Sequence, residues 1–428
     1  MIKLKIYIEG YGCTLNTADT QIIKNSVNEF EDFELTDNVD DSDIIVINTC
    51  IVRQETEHRM ISRIEYFKSL DKKVVVAGCM AKALSKKIEN LADVLIMPRE
   101  AQHSGNILKD KLLKDCSEKN NESTQNLNFE DKLNEKIKKV SSQGLITALP
   151  ICEGCLGSCT YCIVKRARGN LASYDRDLIV KKAEELVKSG TKCLLVTAQD
   201  TACYGLDNSD SLPNLINDIS EIPEKFAMRI GMMHAKFAEP ILDELIESFK
   251  SEKVVKFLHL PIQSGDNQVL KDMNRNYTVD EYISVLNEFK SKIKNLNFTT
   301  DVIVGFPTET EEAFENTLEI VKKIKPDFTH AAKYSQRKYT KAAVLKQVDT
   351  KIRKERSEIL NELRRELSYE NNKRHIGETF EILVTKDNMG VTDNCKNVIF
   401  EESAKIGEFK RVKITGAKTF GLSGKLIN

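Results

Sequence analysis

The sequence contains no apolar run long enough to cross a membrane, so a membrane-spanning protein is not expected. Its first residues, Met1 to Ile8, alternate polar and apolar side chains as a strand does and do not resemble a signal peptide. The net charge is only −1, so there is no general excess of basic residues to attract nucleic acid. Any site for a polyanion must therefore be a local patch.

The length and the cysteine content of the chain point to a multidomain protein with metal or redox chemistry. At 428 residues the chain is too long for one ordinary core and predicts two or three domains. It has 11 cysteines and no recognisable leader, a combination that favours a reducing cytoplasm and metal binding over disulfide bonds.

Three cysteines lie within one short segment at C-x3-C-x2-C spacing: Cys155, Cys159 and Cys162, called here the loop cysteines. Thiolates hold iron–sulfur clusters, and a four-iron cluster bound by only three of them keeps one iron open for a ligand. A structural zinc site that adds the upstream Cys152 is the alternative, but its pairs are normally separated by a longer loop. A ferredoxin motif would usually place Pro where Ile163 stands.

Three more cysteines follow predicted strands in the first 100 residues: Cys13, Cys50 and Cys79, called here the sheet-edge cysteines. The alternating strands and helices of this region predict a small open α/β domain with a mostly parallel sheet. Ligands bind at the carboxyl ends of the strands in such sheets, so the three thiols can converge on a second cluster. A buried, inert thiol is the alternative reading for any one of them.

From Leu145 to about Ser335 a strand–helix pattern repeats six times, which predicts an incomplete (β/α)6 barrel with the loop cysteines after its first strand. With a trailing helix, this predicted domain spans residues 143–374. Active sites of such barrels lie at the carboxyl ends of the strands, and the predicted strand ends are polar. Residues 341–374 are predicted to form one long charged helix. Its predicted apolar side consists of Ile359, Leu360, Leu363 and Leu367.

The remaining two segments have a different character. Residues 111–142 are highly charged and predict a linker or surface insertion, with Cys116 unligated. Residues 375–428 contain short strands separated by glycines, which predicts a small, OB-like antiparallel β-barrel. Basic residues and Phe420 on this barrel suit RNA, through phosphate contacts and stacking, although a plain solvated surface is the alternative. The predicted domains are 1–110, 111–142, 143–374 and 375–428.

The motifs resemble those of the radical-SAM methylthiotransferases over essentially the whole chain. The sheet-edge cysteines lie in segments similar to that family's N-terminal cluster motifs, and the loop cysteines lie in one similar to its S-adenosylmethionine (SAM) loop. Other segments resemble its barrel motifs, and the last domain resembles its RNA-binding TRAM domain. The segments are Gly12–Asp19, Asn48–Cys50, Gly78–Met80, Gly154–Gly169, His259–Gly265, Met273–Thr278 and Asp301–Thr310.

The resemblance implies a radical reaction with two [4Fe–4S] clusters and SAM as cofactors. The cluster on the loop cysteines would cleave SAM to a 5′-deoxyadenosyl radical, and the cluster on the sheet-edge cysteines would supply sulfur. A second SAM would supply the methyl group, and an external electron donor and a sulfur source would be partners. The SAM contacts predicted from the strand ends and the basic run are Gln199, Gln263, Ser264, Asp301 and Arg168.

Two segments, Cys13–Asn16 and Thr197–Asp207, resemble most the archaeal and eukaryotic branch of this family. That branch modifies C2 of N6-threonylcarbamoyladenosine at position 37 of tRNA, in the anticodon stem-loop. The alternatives are the bacterial branches, which act on isopentenyladenosine in tRNA or on an aspartate of a ribosomal protein, and a non-catalytic iron–sulfur protein that binds RNA. The chain departs from the family where Arg-Pro-Gly-Thr-Pro-Ala is replaced by Arg-Lys-Tyr-Thr-Lys-Ala at Arg337–Ala342.

Overall fold

The computed structural model describes residues 3–113 and 129–427, so the predicted state of Cys116 lies outside the described residues. The chain divides into two compact units. The first comprises residues 1–156, 162–189 and 197–199, and the second comprises residues 157–161, 190–196 and 200–428. In the described ranges, no helix is both long enough and apolar enough to cross a membrane.

Strands and helices alternate along most of the first unit. Its strands are β1 (Leu4–Gly10), β2 (Phe33–Thr36), β3 (Ile44–Thr49), β4 (Lys73–Gly78), β5 (Val94–Ile96), β6 (Ile146–Pro150), β7 (Cys152–Glu153) and β8 (Ala172–Ser173). Its helices are α1 (Thr14–Asn28), α2 (Gln54–Lys68), α3 (Cys79–Ala83), α4 (Ser85–Ile88), α5 (Ser104–Leu112), α6 (Phe129–Lys138), α7 (Val164–Arg168) and α8 (Arg176–Lys188). Helix α6 lies in the segment predicted to be a linker or insertion.

The first five strands form a wholly parallel sheet in the order β2-β1-β3-β4-β5, which confirms the predicted N-terminal α/β fold. Strand β3 occupies the centre, and all six of its residues are buried because helices cover both faces of such sheets. Its Ile44 pairs with Ile6 on one side and with Lys73 on the other.

One apolar core extends from this sheet to the helix that follows the loop cysteines. Met60, Ile64 and Phe67 recur on one face of α2 at helical spacing and are fully buried in this core. Ile163 and Ala167 belong to the same core. Burial of these side chains therefore anchors α7, at the end of the cysteine loop, on the core of the first unit.

The second unit contains a further run of parallel strands and helices. The strands are β9 (Cys193–Thr197), β10 (Ala227–Ile230), β11 (Phe257–His259), β12 (Asn297–Val304) and β13 (Phe328–Lys333). The helices are α9 (Leu212–Ser220), α10 (Ala235–Ala238), α11 (Leu242–Phe249), α12 (Asn267–Asp272), α13 (Val279–Lys292), α14 (Glu311–Ile324) and α15 (Thr350–Lys373). Strands β9 and β10 pair in parallel, as do β11, β12 and β13.

Helix α15 differs from its prediction in two respects. It begins at Thr350 and not at residue 341, because the Asp349 side chain caps it by accepting a hydrogen bond from the Lys351 backbone N–H (2.7 Å). Its buried apolar side contains Leu360, Leu363 and Leu367, but Ile359 is 47% exposed. The prediction that Ile359 belongs to this side was wrong, since one residue turns the helix by about 100°.

The C-terminal strands close into a small β-barrel, as predicted. They are β14 (Thr379–Lys386), β15 (Met389–Thr392), β16 (Asn397–Ile399), β17 (Phe409–Lys418) and β18 (Gly421–Ile427), in the order β14-β15-β16-β18-β17. Alternate residues such as Phe380, Ile382 and Val384 point into its core.

Candidate metal and cofactor centres

The sheet-edge cysteines follow three strands that are direct neighbours in the first sheet. Cys13 precedes the first turn of α1, after β1; Cys50 follows the last residue of β3; and Cys79 opens α3 after β4. Because β1, β3 and β4 are adjacent and parallel, their carboxyl ends meet at one edge. The topology therefore brings together three thiols that are far apart in sequence.

Polar residues of the neighbouring motifs hold these loops in place. Asn48, fully buried, donates to the Asn16 backbone oxygen (2.9 Å). Thr49 donates to the Ala77 backbone oxygen (2.6 Å) and accepts from the backbone N–H of Met80 (3.2 Å). The Asn-Thr-Cys motif thus fixes the backbone on which Cys50 and Cys79 stand, because buried polar groups must find partners.

The electrostatics of the three thiols also place them near one another. Cys50 and Cys79 are each only 6% exposed, and burial raises the pKa of Cys79 to about 11. A negative charge on Cys13 or Cys50 raises this pKa further, whereas the Arg168 charge lowers it. Without a metal the Cys79 thiol is therefore neutral, and a bound metal would displace its proton. Three converging sulfur ligands fit an iron–sulfur cluster with one open iron.

Arg168, predicted to contact SAM, lies in a buried ionic network of the first unit. Its guanidinium contacts Asp19 (2.6 Å) and Glu153 (3.1 Å) and donates to the Asn16 side-chain oxygen (3.1 Å). Lys136 of α6 contacts Asp19 (2.6 Å) and also Glu153. All four charged side chains are at most 1% exposed, and the two positive charges balance the two negative ones. This network braces the region beside Cys79.

Hydrogen bonds fix two parts of the segment that carries the loop cysteines. In the first unit, the Cys155 N–H donates to the Gly169 oxygen (3.3 Å). In the second unit, the Thr160 side chain donates to the Asp272 oxygen (2.7 Å), and the Thr160 oxygen accepts from the Ala342 N–H (2.9 Å). Each part of the segment is therefore fixed within its own unit, as a preorganised ligand set requires.

Gly154, immediately before Cys155, offers a direct test of this loop. Its φ is +75°, and a Cβ atom there would lie 1.9 Å from the Asn170 backbone oxygen. We expect Gly154→Ala to displace Cys155 and to lower the iron content after anaerobic reconstitution, with about 1–2 kcal/mol of added backbone strain. Gly190→Ala is the matched control, since φ is +106° there and nothing lies within 4 Å of the added carbon. Equal iron content in the two variants would contradict this account.

Two predicted SAM contacts carry buried side-chain oxygens for which no hydrogen-bond partner exists among the described residues. These are the Oε1 atoms of Gln199 and Gln263. Gln263 also has a φ of +72°, while its backbone bridges to Val302 of β12. A buried acceptor without a partner costs free energy, so a donor group of a ligand would stabilise each site.

The other two predicted contacts are already engaged in the second unit. Ser264 is fully buried, with its hydroxyl 3.3 Å from that of Thr317, and it accepts from the Asp266 N–H (3.2 Å). This pattern is that of a loop cap. Asp301 lies on β12, and its carboxylate is 2.7 Å from Nε2 of His259.

Arg275 is a candidate residue that the sequence reasoning did not single out. Its guanidinium donates to Sγ of Cys159 (3.5 Å) and to Oη of Tyr161 (3.4 Å), and its other nitrogens are held by Tyr277 and the Pro261 oxygen. It is only 4% exposed. A buried cation at this position would offset the negative charge of a thiolate-bound cluster. In the sequence, its position inside the Met273–Thr278 motif was the signal that could have identified it.

The segment that departs from the family pattern keeps an unusual backbone. Tyr339 has a φ of +74° at the position where the family has Gly. Such a conformation is costly for a bulky residue, so the surrounding contacts must impose it. The turn around Tyr339 is closed by Thr340, whose backbone N–H (3.1 Å) and hydroxyl (2.7 Å) both donate to the Arg337 oxygen.

Comparisons with known proteins agree with these observations. Residues 149–321 match the Radical SAM superfamily, and residues 5–97 match an uncharacterized protein family, UPF0004. The chain is 57% identical over 427 residues to a probable threonylcarbamoyladenosine tRNA methylthiotransferase of Methanocaldococcus jannaschii, which covers 100% of this chain and 98% of that protein. It is 31% identical over 443 residues to a tRNA-2-methylthio-N(6)-dimethylallyladenosine synthase of Fusobacterium nucleatum. That match covers 99% of this chain and 100% of the other protein.

A solved structure shows the same fold at low sequence identity. The radical SAM methyltransferase TsrM of Kitasatospora setae superposes with a TM-score of 0.58 at 11% identity, covering 80% of this chain and 74% of that one. The fold and the family match define a radical-SAM enzyme, as the sequence predicted. More narrowly, the chain belongs to the radical-SAM methylthiotransferase family. Two [4Fe–4S] clusters and SAM are the cofactors of this family, which confirms the predicted cofactors.

Proposed function

We propose that this enzyme methylthiolates C2 of N6-threonylcarbamoyladenosine at position 37 of tRNA, giving 2-methylthio-N6-threonylcarbamoyladenosine. The observation that carries the proposal is the meeting of Cys13, Cys50 and Cys79 at one sheet edge in a chain that also has the loop cysteines. A radical-SAM enzyme needs one open-iron cluster for SAM, and a second one gives a place for the sulfur. The archaeal relative of 57% identity supports the threonylcarbamoyl substrate.

The protein residues have distinct tasks in this reaction. When bound, SAM and the two clusters would supply the radical, the sulfur and the methyl group. The loop cysteines and the sheet-edge cysteines would each hold one cluster, with Arg275 offsetting charge at Cys159 and Arg168 doing so near Cys79. The Oε1 atoms of Gln199 and Gln263, which have no hydrogen-bond partner among the described residues, would accept hydrogen bonds from SAM, whose ammonium and ribose groups are donors.

The remaining assignments follow from this chemistry. An external electron donor must reduce the cluster on the loop cysteines, and a sulfur source must renew the sulfur after each turnover. The substrate would be the anticodon stem-loop of tRNA, in the cytoplasm. The small C-terminal barrel would contribute to binding the stem-loop, since basic β17 residues such as Lys410 and Arg411 are exposed and could contact phosphates.

A substrate competition tests the proposal directly. The reconstituted enzyme is incubated anaerobically with SAM, a reductant and an equimolar mixture of two tRNAs, one with threonylcarbamoyladenosine and one with isopentenyladenosine at position 37. Digestion and mass spectrometry of the nucleosides should show the methylthio group on the threonylcarbamoyl nucleoside, with a preference of at least tenfold. The Cys155/Cys159/Cys162→Ala variant is the control and should form neither product. Methylthiolation of the isopentenyl nucleoside alone would refute the substrate assignment.

A further inference from the structure

Three side chains with metal-ligating atoms lie side by side on consecutive strands of the second unit. They are His259 on β11, Asp301 on β12 and His330 on β13. In the parallel register Asp301 pairs with His330, and Thr299, two residues before Asp301 and on the same face, pairs with His259. The arrangement thus follows from the pleat of three adjacent strands, each supplying one residue from the same face.

The distances between these groups suit a common ligand. Nε2 of His259 lies 2.7 Å from the Asp301 carboxylate, and one ligand atom from each of the three residues lies within 4.8 Å of the others. The two imidazole rings are 5.4 Å apart between centroids.

We propose that His259, Asp301 and His330 form a binding site for one divalent cation. Two imidazoles and one carboxylate are a ligand set for first-row metals such as Mn²⁺, Fe²⁺ or Zn²⁺. Three protein ligands leave further coordination positions open for a non-protein group. On this assignment Asp301 binds the cation and not SAM.

A cavity of about 310 Å³ leads to this site within the second unit, and His330 lines it. Its walls combine Arg229 and the ion pair of Lys396 with Asp327 (2.8 Å) with aromatic side chains such as Phe257 and Phe420. Arg229 and the aromatic side chains suit an anionic group attached to a flat or apolar one. On the proposed function, the threonylcarbamoyl group of the substrate carries a carboxylate, and this carboxylate would take an open position on the cation.

Manganese binding to the holoenzyme tests the cation site. With both clusters in the oxidised, EPR-silent state, loss of the free Mn²⁺ signal counts bound ions. Thiolates are poor ligands for Mn²⁺, so the cysteines should not bind the added ion. We expect one tight site per chain, weakened at least tenfold by His330→Ala. His330 is exposed, so this replacement should not disturb folding, and the iron content verifies that. His58→Ala, on the exposed side of α2, is the matched control. Equal Mn²⁺ affinity in His330→Ala and wild type would overturn the proposal.

The role of the open positions is tested in the same titration. Free N6-threonylcarbamoyladenosine should tighten Mn²⁺ binding several-fold, because coupling between two ligands is reciprocal, whereas N6-isopentenyladenosine has no carboxylate and should not. If Mn²⁺ binds but neither nucleoside changes its affinity, the substrate part of the inference is wrong. If Mn²⁺ binds and the competition between tRNAs yields no methylthio product, the proposed function fails and the cation site stands.

Discussion

Replacement of the sheet-edge cysteines Cys13, Cys50 and Cys79 together by alanine is expected to remove roughly half of the iron and sulfide that the reconstituted protein binds. The same loss is expected when the three loop cysteines are replaced. The sheet-edge cysteines follow three adjacent strands, and the loop cysteines lie within one short segment of sequence. Three thiols are enough for a four-iron cluster with one open iron. The measurement is iron and sulfide per chain after anaerobic reconstitution, for wild type and both triple variants.

Cys152→Ala is the control for this experiment. Cys152 is fully buried in β7, next to the loop cysteines in sequence, and a four-cysteine zinc site would require its sulfur. We expect this variant to keep the full iron content. Wild-type iron content in the Cys13/Cys50/Cys79→Ala variant would remove the second cluster and with it the sulfur-insertion mechanism.

The sequence alone indicated which cysteines are candidate cluster ligands, because the signals that mark them lie close to them in the chain. The spacing of the loop cysteines alone predicts a cluster, and the sheet-edge cysteines each follow a short β-branched run. Once the runs form parallel strands, the topology must bring their carboxyl ends to one side. The closed C-terminal barrel was likewise predictable, since alternating residues and glycine-rich turns are also local signals.

The partners of charged residues could not be predicted from local patterns. Arg168 stands in a basic run that suits SAM or phosphate, yet it pairs with Asp19 and Glu153. Lys136 stands in a charged segment predicted to be a linker or insertion, yet it is 1% exposed. A charged side chain is buried only when oppositely charged groups pair with it, and tertiary contacts alone determine which groups do so.

The second large effect is expected from Arg168→Leu. The replacement leaves Asp19 and Glu153 buried with Lys136 as their only cationic partner in the described network, so one negative charge is uncompensated. Removing one member of a buried ionic group costs about 3–5 kcal/mol. The thermal midpoint of the first unit should fall by roughly 6–20 °C, measured by circular dichroism under anaerobic conditions. Because Arg168 also acts on Cys79, the variant should bind less iron.

Arg166→Leu, on the exposed side of the same helix, is the matched control and should change the midpoint by a few degrees at most.

The pH dependence of stability through Glu153 tests the same ionic network independently. Burial opposes its ionisation, but Lys136 and Arg168 outweigh burial and lower its pKa to about 2. This folded-state pKa lies below the unfolded value of about 4.3, so the stabilisation from Glu153 is present above that value and is lost as the pH falls toward 2.

The acid sensitivity of the Glu153→Gln variant between about pH 4 and pH 2 should therefore be weaker than that of the wild type. Combining Glu153→Gln with Lys136→Met removes one charge of each sign and should cost less than the sum of the two single changes, since the network would again be balanced. Additive costs would mean that the four charges act separately. In that case the segment containing Lys136 would contribute only packing to the region beside Cys79.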